Sequence, residues 1–304
     1  ILKMRNSAND GWIDLRTLTG GITSSADATI NSLTVGKGAN SVSGNTVLGE
    51  SALDASVSGG NNTAIGNSAL SSNTSGDSHT AVGMNSLNLN TTGNGNTAIG
   101  FEALKDNTTG GINTAVGKAA LRDNTTANNN TAVGAVALLV NTTGTQNTAV
   151  GSQALDANTT ANNNTAVGFD CLTANTTGGN NTGLGHTALD ANTTGSNNTA
   201  VGQNSLGANT TGGNNTGLGI NALMTNSTAA NNVAVGFEAL KFNTTGTKNV
   251  AVGSDALEAN TTASNNTAVG YNALLSNTTG TENIAIGANA LDANTTANQN
   301  TAIG

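Results

Sequence analysis

Apolar and polar residues follow one another along this chain in a pattern that repeats every 17 residues. The phrase Asn-Thr-Ala-Val-Gly, with small variations, recurs with its Gly at constant spacing from Gly49 to Gly304, without insertion or deletion across fifteen units. A Leu follows each of the first fifteen glycines by four residues, and an Asn follows by seven, with Ser56 as the exception. These marker positions include Gly66, Leu70, Asn73, Gly100, Leu104, Asn107, Gly134, Leu138 and Asn141. Such constancy predicts a stack of identical structural units.

The repeat length selects among the known repeat architectures. A helical hairpin needs roughly 30 or more residues per repeat, and a repeat of 17 does not fit a coiled-coil heptad. One coil of a β-solenoid, with two short strands and two turns, fits well. The predicted fold is therefore all-β: a β-solenoid or β-roll of 17-residue coils.

The segment Asn62 to Gly66 is predicted to form a strand in each coil. Because side chains alternate across a strand, Thr63 and Ile65 share one face. Val and Ile replace Thr63 in other units, which indicates a packed β-branched face. Within residues 50–304 Ala64 is replaced only by Gly, at Gly183 and Gly217, which predicts the close approach of another backbone, either from a second sheet or from a second chain.

Three further features of the repeat carry predictions. The invariant Gly predicts a turn with positive φ or a tight backbone contact. Ten residues later Gly alternates with Ala, as at Gly110 and Ala127, so that second turn does not require a left-handed residue. The Leu residues are expected to stack into a buried spine and the Asn residues into amide ladders. Fifteen coils would make a rod on the order of 70 Å long, whose thin core favours association of several chains.

Composition agrees with a thin, hydrogen-bonded rod. The chain has 40 Gly, no Pro and only 9% charged residues, against about a quarter charged in typical domains. Pro would remove ladder donors. The net charge of −8 and the scattered basic residues argue against nucleic acid as a partner. No apolar run is long enough to span a bilayer, and the single cysteine, Cys171, excludes an internal disulfide and is expected to be a small buried side chain.

The chain divides into three predicted parts: a non-repetitive N-terminal β segment over residues 1–36, a transition over 37–49, and the repeats over 50–304. In the first part, residues 2–6 and 11–16 are predicted to be two short strands joined by a polar turn around residues 8–10. Trp12, the only Trp, is expected to be a local anchor.

Candidates for chemistry are few and isolated. His79 and His186 do not recur in the repeat, which argues against a metal site or a catalytic triad. One repeat position carries acids in some units and bases in others and is expected to be solvated. Its residues include Asp54, Asp156, Asp190, Asp292, Lys105, Arg122 and Lys241. We therefore predict no enzyme activity, no cofactor and no metal.

Two recurring patterns have alternative interpretations. The Asn-Thr-Thr triplets match the N-glycosylation acceptor, but they recur with the coil, which favours structural ladders. Four aromatic residues directly follow the invariant Gly: Phe101, Phe169, Phe237 and Tyr271. A surface or inter-chain location is favoured for them, with a carbohydrate-binding platform as the alternative.

The motif Asn-Thr-Ala-Val/Ile-Gly resembles the head repeats of trimeric autotransporter adhesins, which repeat Asn-Ser-Val-Ala-Ile-Gly and fold as a trimeric left-handed parallel β-roll. The resemblance covers residues 62–304, although the units of that family are usually shorter and lack the Ala-Leu step seen at Ala69 and Leu70. The opening segment, with Leu2 to Asn6 followed by Trp12 to Leu15, resembles linker segments of bacteriophage tail-fibre proteins.

These resemblances imply a homotrimeric structural fibre of a virion, either intertwined or side by side, that acts as a rigid phage tail-fibre shaft supporting host attachment. Its implied partners are its own copies, other tail proteins of the virion, and a host receptor or glycan. One alternative is a bacterial trimeric adhesin at the cell surface. The other is an ice-binding β-solenoid that displays a rank formed by Thr108, Thr125, Thr142 and Thr159.

Overall fold

The computed structural model describes residues 3–5, 12–14, 28–30, 33–55 and 57–304. The predicted turn around residues 8–10, Ser56 and the side chain of Trp12 lie outside what it describes. Strands β1 (Lys3–Arg5) and β2 (Trp12–Asp14) pair antiparallel, which confirms the two short strands predicted at the start of the chain.

The repeats form one continuous ladder of parallel strands. It is entered through β3 (Ala28–Ile30), β4 (Leu33–Gly36) and β5 (Thr46–Gly49), in which β4 pairs antiparallel with both neighbours, and a short 3-10 turn at Ala39–Ser41 lies between β4 and β5. From β5 onward each strand pairs parallel with the next. The strands that follow are β6 (Thr63–Ile65), β7 (Thr80–Val82), β8 (Thr97–Ile99), β9 (Thr114–Val116), β10 (Thr131–Val133), β11 (Thr148–Val150), β12 (Thr165–Val167), β13 (Thr182–Leu184), β14 (Thr199–Val201), β15 (Thr216–Leu218), β16 (Val233–Val235), β17 (Val250–Val252), β18 (Thr267–Val269), β19 (Ile284–Ile286) and β20 (Thr301–Ile303).

The register of this ladder equals the sequence repeat. Thr131 faces Thr148 and Val133 faces Val150 across β10 and β11, and the same one-coil register holds along the other repeat strands. The predicted all-β solenoid with 17-residue coils is thus confirmed. Below, positions within a coil run from 1, the residue after the invariant Gly, to 17, that Gly itself.

The predicted second strand of each coil is wrong. Residues at positions 2 and 4 have positive φ, for example Glu102 at 56° and Leu104 at 51°, and a left-handed residue at every second position prevents an extended strand. Hydrogen bonds between coils nevertheless continue here: Glu102 N–H donates to Met84 O, and Leu104 N–H to Ala120 O, each at 3.0 Å. Each coil therefore has one strand and one stacked left-handed turn.

The core is a narrow column of small residues around a Leu spine. Leu at position 4 is fully buried in the interior coils, as Leu138 is, which confirms the predicted spine. Ala at positions 3 and 15, such as Ala137 and Ala149, fills the rest. The predicted packing of the strand is therefore corrected: Ala faces inward, and the Thr and Val beside it face outward and are half-buried or exposed. The close approach predicted at Ala64 comes from the chain's own coil.

Cys171 shows how tightly this column is filled. It occupies position 3, where most coils have Ala, and its coil has Gly183 at position 15 in place of Ala. A Cβ on Gly183 would lie 2.5 Å from Cys171 Sγ, and one on Gly217 would lie 2.5 Å from Ser205 Oγ. In these two coils a larger residue on one wall accompanies Gly on the other, whereas Ser86 coexists with Ala98 and its hydroxyl donates to Gly83 O. The thiol is buried, and burial raises its pKa to about 12, so Cys171 acts as the predicted small core residue.

This compensation predicts a strong coupling between the two sites. Gly183→Ala alone is expected to destabilise the coil by about 1–3 kcal/mol, because the core becomes overpacked. In the Cys171→Ala background the same change is expected to cost much less, since the pair then equals that of most other coils. Urea unfolding of the two single variants and the double variant gives the coupling, expected within about 0.5–3 kcal/mol. Strictly additive effects would contradict this packing.

Candidate functional site

Two ladders of buried Asn hold one corner of each coil together. At position 7, Asn141 Nδ2 donates to Asn124 Oδ1 of the preceding coil at 3.1 Å and to Gly144 O of its own coil at 2.9 Å. Its own Oδ1 accepts from Asn158 Nδ2 at 2.8 Å. These side chains are fully buried. The predicted ladders are confirmed, and the Asn of the Asn-Thr-Thr triplets is committed to the stack rather than presented to solvent.

The second ladder, at position 13, uses the backbone as well. Asn130 N–H donates to Asn113 Oδ1 of the preceding coil at 2.9 Å, and Asn130 Nδ2 donates to Gly144 O of the following coil at 2.8 Å. Gly144 O is therefore shared between the position-7 amide of its own coil and the position-13 amide of the coil before. These hydrogen bonds satisfy buried polar groups, each of which would otherwise cost about 1–3 kcal/mol of stability.

His79 replaces Asn in the second ladder. It is almost fully buried, and its Nδ1 accepts from Asn96 N–H at 3.1 Å, as an Asn Oδ1 does elsewhere. Burial lowers the pKa of His79, which favours the neutral ring that this acceptor role requires. The residue is a structural member of the ladder, and sequence reasoning had identified only the substitution.

The Thr rank at position 8 is also part of the stack. Thr108 Oγ1 donates to Thr125 O of the following coil at 3.0 Å, and Thr125 Oγ1 repeats this with Thr142 O at 3.1 Å. These hydroxyls are half-buried. The neighbouring Thr at position 9, such as Thr109, is exposed, so the two adjacent Thr residues differ in their surroundings.

The invariant Gly at position 17 meets both of its predicted requirements. Gly134 has φ of 142°, and a Cβ there would collide with the carbonyl group of Gly151 in the next coil. By contrast, the Gly at position 10, such as Gly195, is absent from the residues with positive φ. The expectation that position 10 needs no left-handed residue is therefore confirmed.

The largest uniform surface is the strand face, which we define as the outward residues at positions 14 and 16 of β5–β20. Position 14 is Thr, Val or Ile and position 16 is Val, Ile or Leu in every one of these strands. Many of the position-16 side chains are well exposed, for example Val150 at 36% and Leu184 at 46%. The face runs about 70 Å along the axis without a charged residue. Contiguous apolar patches above a few hundred Å² are rare on soluble monomers and mark interaction surfaces.

The side of the rod at position 1 is more varied. Phe101, Phe169, Phe237 and Tyr271 are all exposed there, which confirms a surface location for these rings in the single chain. His186, also at position 1, stacks on Phe169 with ring centroids 5.6 Å apart and planes within 10°. Other coils place Lys, Ser, Gln or Ala at this position, so position 1 tolerates polar residues whereas position 16 does not.

Most charged residues of the repeats lie at positions 2, 5 and 6, and a few lie at positions 1, 11 and 12. Lys241 pairs with Glu238 at 2.9 Å, and Lys105 pairs with Glu102 at 3.4 Å, within their own coils. The ion pair with Lys241 lowers the pKa of Glu238, and partial burial raises the pKa of Asp190. The acids at position 5 are half-buried or exposed, as expected for a largely solvated row.

Within the described residues, the side chains that could act in catalysis or bind a metal do not form a cluster. No three His, Cys, Asp or Glu lie where they would hold a metal ion. The described part of the chain also has no helix with the length and hydrophobicity to cross a lipid bilayer. The chain matches no protein family, and no curated protein matches it significantly in sequence. The feature that stands out is the uncharged strand face.

Proposed function

We propose that this chain is a non-enzymatic fibre protein whose coils form the rigid shaft of a phage tail fibre, assembled as a homotrimer that supports host attachment. The observation that carries the proposal is the strand face, an uncharged surface on which an unbroken row of aliphatic side chains at position 16 runs beside a row of mostly Thr at position 14. Stacked hydrogen bonds at the strand, at the left-handed turn and in both Asn ladders give the rod its stiffness. The resemblance of the opening segment to tail-fibre linkers supports the placement in a virion with other tail proteins.

Three copies packed through their strand faces would remove this apolar surface from water. Burial of apolar area contributes about 25 cal/mol per Å², and specific interfaces bury roughly 800 Å² per partner, an area within reach of a face about 70 Å long. Parallel copies would place identical coils at the same height, so the one-coil register of each chain would match that of its partners. The thin core of a single chain supports the same conclusion.

Light scattering on the purified chain tests this assembly. We expect a mass about three times the 29.6 kDa of one chain. Val150→Lys is expected to dissociate the trimer, because a Lys ammonium in the apolar interface has no partner, while the coil fold measured by circular dichroism persists since Val150 is 36% exposed in one chain. The matched control is Ser152→Lys, at position 1, where Lys118 occurs naturally.

The outcomes separate the candidates. If the Val150→Lys variant remains trimeric, the strand face is not the interface. A well-folded wild-type monomer would overturn the trimeric fibre and favour ice binding. The surface for it would then be the Thr row of the strand face rather than the predicted rank at position 8, whose hydroxyls donate within the stack; thermal hysteresis is the measurement. A trimer encoded with a signal peptide and a membrane-anchoring barrel would favour the bacterial adhesin over the virion.

A further inference from the structure

Two exposed aromatic rings lie two coils apart on the position-1 side of the rod. Phe237 is 50% exposed and Tyr271 is 56% exposed. Among the aromatic residues at position 1, this pair alone has that spacing, since Phe101, Phe169 and Phe237 are four coils apart. The coil between them contributes Ser254, a small residue, at the same position.

Hydrogen bonds fix the spacing of the backbones that carry these rings. Asp255 N–H donates to Phe237 O at 2.9 Å, and Asn272 N–H donates to Ser254 O at 3.1 Å, so the backbones of the three coils are locked together beside position 1. Two steps of the ladder separate Phe237 from Tyr271 by about 9.5 Å. The small Ser254 leaves the space between the rings open above it.

The orientation of rings at position 1 follows from the pair in which two of them are adjacent. Phe169 and His186 lie in neighbouring coils and stack with nearly parallel planes at 5.6 Å. This pair shows that the backbone at position 1 allows rings of different coils to face one another along the axis. A guest ring midway between Phe237 and Tyr271 would lie about 4.7 Å from each, within the range of about 4.5–7 Å for ring contacts. That gap suits a puckered six-membered ring better than a thin planar one.

Polar groups at the base of the gap fit a guest that carries hydroxyls. Ser254 Oγ donates to Asp255 Oδ2 at 3.0 Å, which leaves the other carboxylate oxygen of Asp255 as an acceptor. Asn272 follows Tyr271 in sequence and adds an amide group, whereas the Oε1 of Glu238, which follows Phe237, already accepts from Asn221 Nδ2 at 3.1 Å. The Lys241 ammonium is already paired with Glu238. The acidic surroundings and the net charge of −8 disfavour an anionic guest.

We propose that Phe237, Ser254 and Tyr271 form an aromatic clamp that binds one pyranose ring of a neutral glycan. The C–H groups of the sugar meet the electron-rich faces of both rings, and its hydroxyls donate to the carboxylates below. The clamp extends the proposed function by naming what the side of the shaft binds. It is built from three coils of one chain, and therefore does not depend on the trimer.

The chain carries its own reporter for this test, because Tyr271 is its only tyrosine. Full-length protein labelled with fluorotyrosine is titrated with neutral oligosaccharides of glucose and of N-acetylglucosamine, and the single fluorine resonance is followed by NMR. We expect a saturable shift with at least one series, with a Kd on the order of 1 mM. Phe237→Ala is expected to weaken binding at least tenfold.

Two further variants make the test specific to the clamp. Ser254→Phe is expected to abolish binding by filling the gap, without unfolding the chain, since Phe occurs at position 1 in three other coils. Phe101→Ala removes a ring that is 42% exposed and has no aromatic partner two coils away, and it is expected to leave binding unchanged. Absence of any shift with both series, or equal weakening by Phe101→Ala and Phe237→Ala, would overturn the clamp. The mass of the same sample, measured in parallel, reports separately on the trimer.

Discussion

Gly134→Ala is expected to destabilise the solenoid by more than about 4 kcal/mol, in the range of exceptional single substitutions. Two causes act together. The φ of 142° at Gly134 is one that residues with a side chain rarely adopt, and the new Cβ would collide with the carbonyl group of Gly151, part of the rigid backbone of the next coil. Urea unfolding followed by circular dichroism measures the loss, which we expect to appear as disruption of the stack around β10 and β11.

Gly195→Ala is the matched control for this substitution. Gly195 lies at position 10 with Gly178 and Gly212 above and below it, so the change recreates the Gly-Ala-Gly order that the chain already has around Ala127. A Cβ on Gly195 would also meet a carbonyl oxygen, that of Gly212, but position 10 needs no positive φ and holds Ala in other coils, so the change is expected to cost clearly less than Gly134→Ala. Similar losses for Gly134→Ala and Gly195→Ala would contradict the role given to the invariant Gly.

Asn141→Asp is expected to destabilise the folded chain by roughly 3–5 kcal/mol at pH 7, the cost of an uncompensated buried charge. The amide that donates to Asn124 Oδ1 and to Gly144 O is lost, and carboxylate oxygens then face those two acceptors. Only the bond from Asn158 Nδ2 remains favourable. Thermal and urea unfolding at several pH values give the size of the effect.

The pH dependence of this variant has a defined sign. Burial and facing acceptors raise the pKa of the new carboxyl in the folded chain above the value of about 3.9 in the unfolded chain. The folded state then binds the proton more tightly, so the stability of the variant falls as pH rises above about 4, by at most about 1.4 kcal/mol per pH unit. Asn129→Asp, at an exposed position, should show neither the loss nor this slope.

Much of the fold follows from the sequence because each coil repeats the same constraint. The constant spacing predicts the solenoid, the Leu at position 4 predicts the spine, and the Asn at position 7 predicts the ladder. Each of these residue types is chemically suited to its stacked role, so its recurrence in the sequence predicts that role. The invariant Gly likewise predicts a backbone conformation that residues with a side chain rarely adopt.

The errors arise where residue type carries no such information. Leu104 and Val136 adopt positive φ, a conformation disfavoured for large or branched side chains, so nothing in the sequence separates this turn from a strand. The two faces of the strand were identified correctly as groups, but which group faces inward was not. In a column this narrow the strand contributes only Ala or Gly to the interior beside the Leu spine over residues 50–304, and its β-branched residues lie outside.

The clamp illustrates a different limit. The sequence shows four aromatic residues at one repeat position, but a ring in a list of repeats has no orientation. The stacked Phe169 and His186 supply that orientation, and the hydrogen-bonded step between coils supplies the distance. Both the orientation and the distance are needed before the spacing of Phe237 and Tyr271 can be interpreted as the width of a binding site.

The equality of register and repeat also governs how this rod can change in evolution. Because every coil offers the next the same Asn amides, Leu side chain and strand edge, genetic gain or loss of whole 17-codon units leaves each remaining junction intact. Recombination between such similar units would therefore alter the reach of the shaft in increments of about 4.8 Å, while a gain or loss of any other length would interrupt both ladders at once. Selection can thus adjust the length of the rod in steps of one coil, without any change in the structure of the coil.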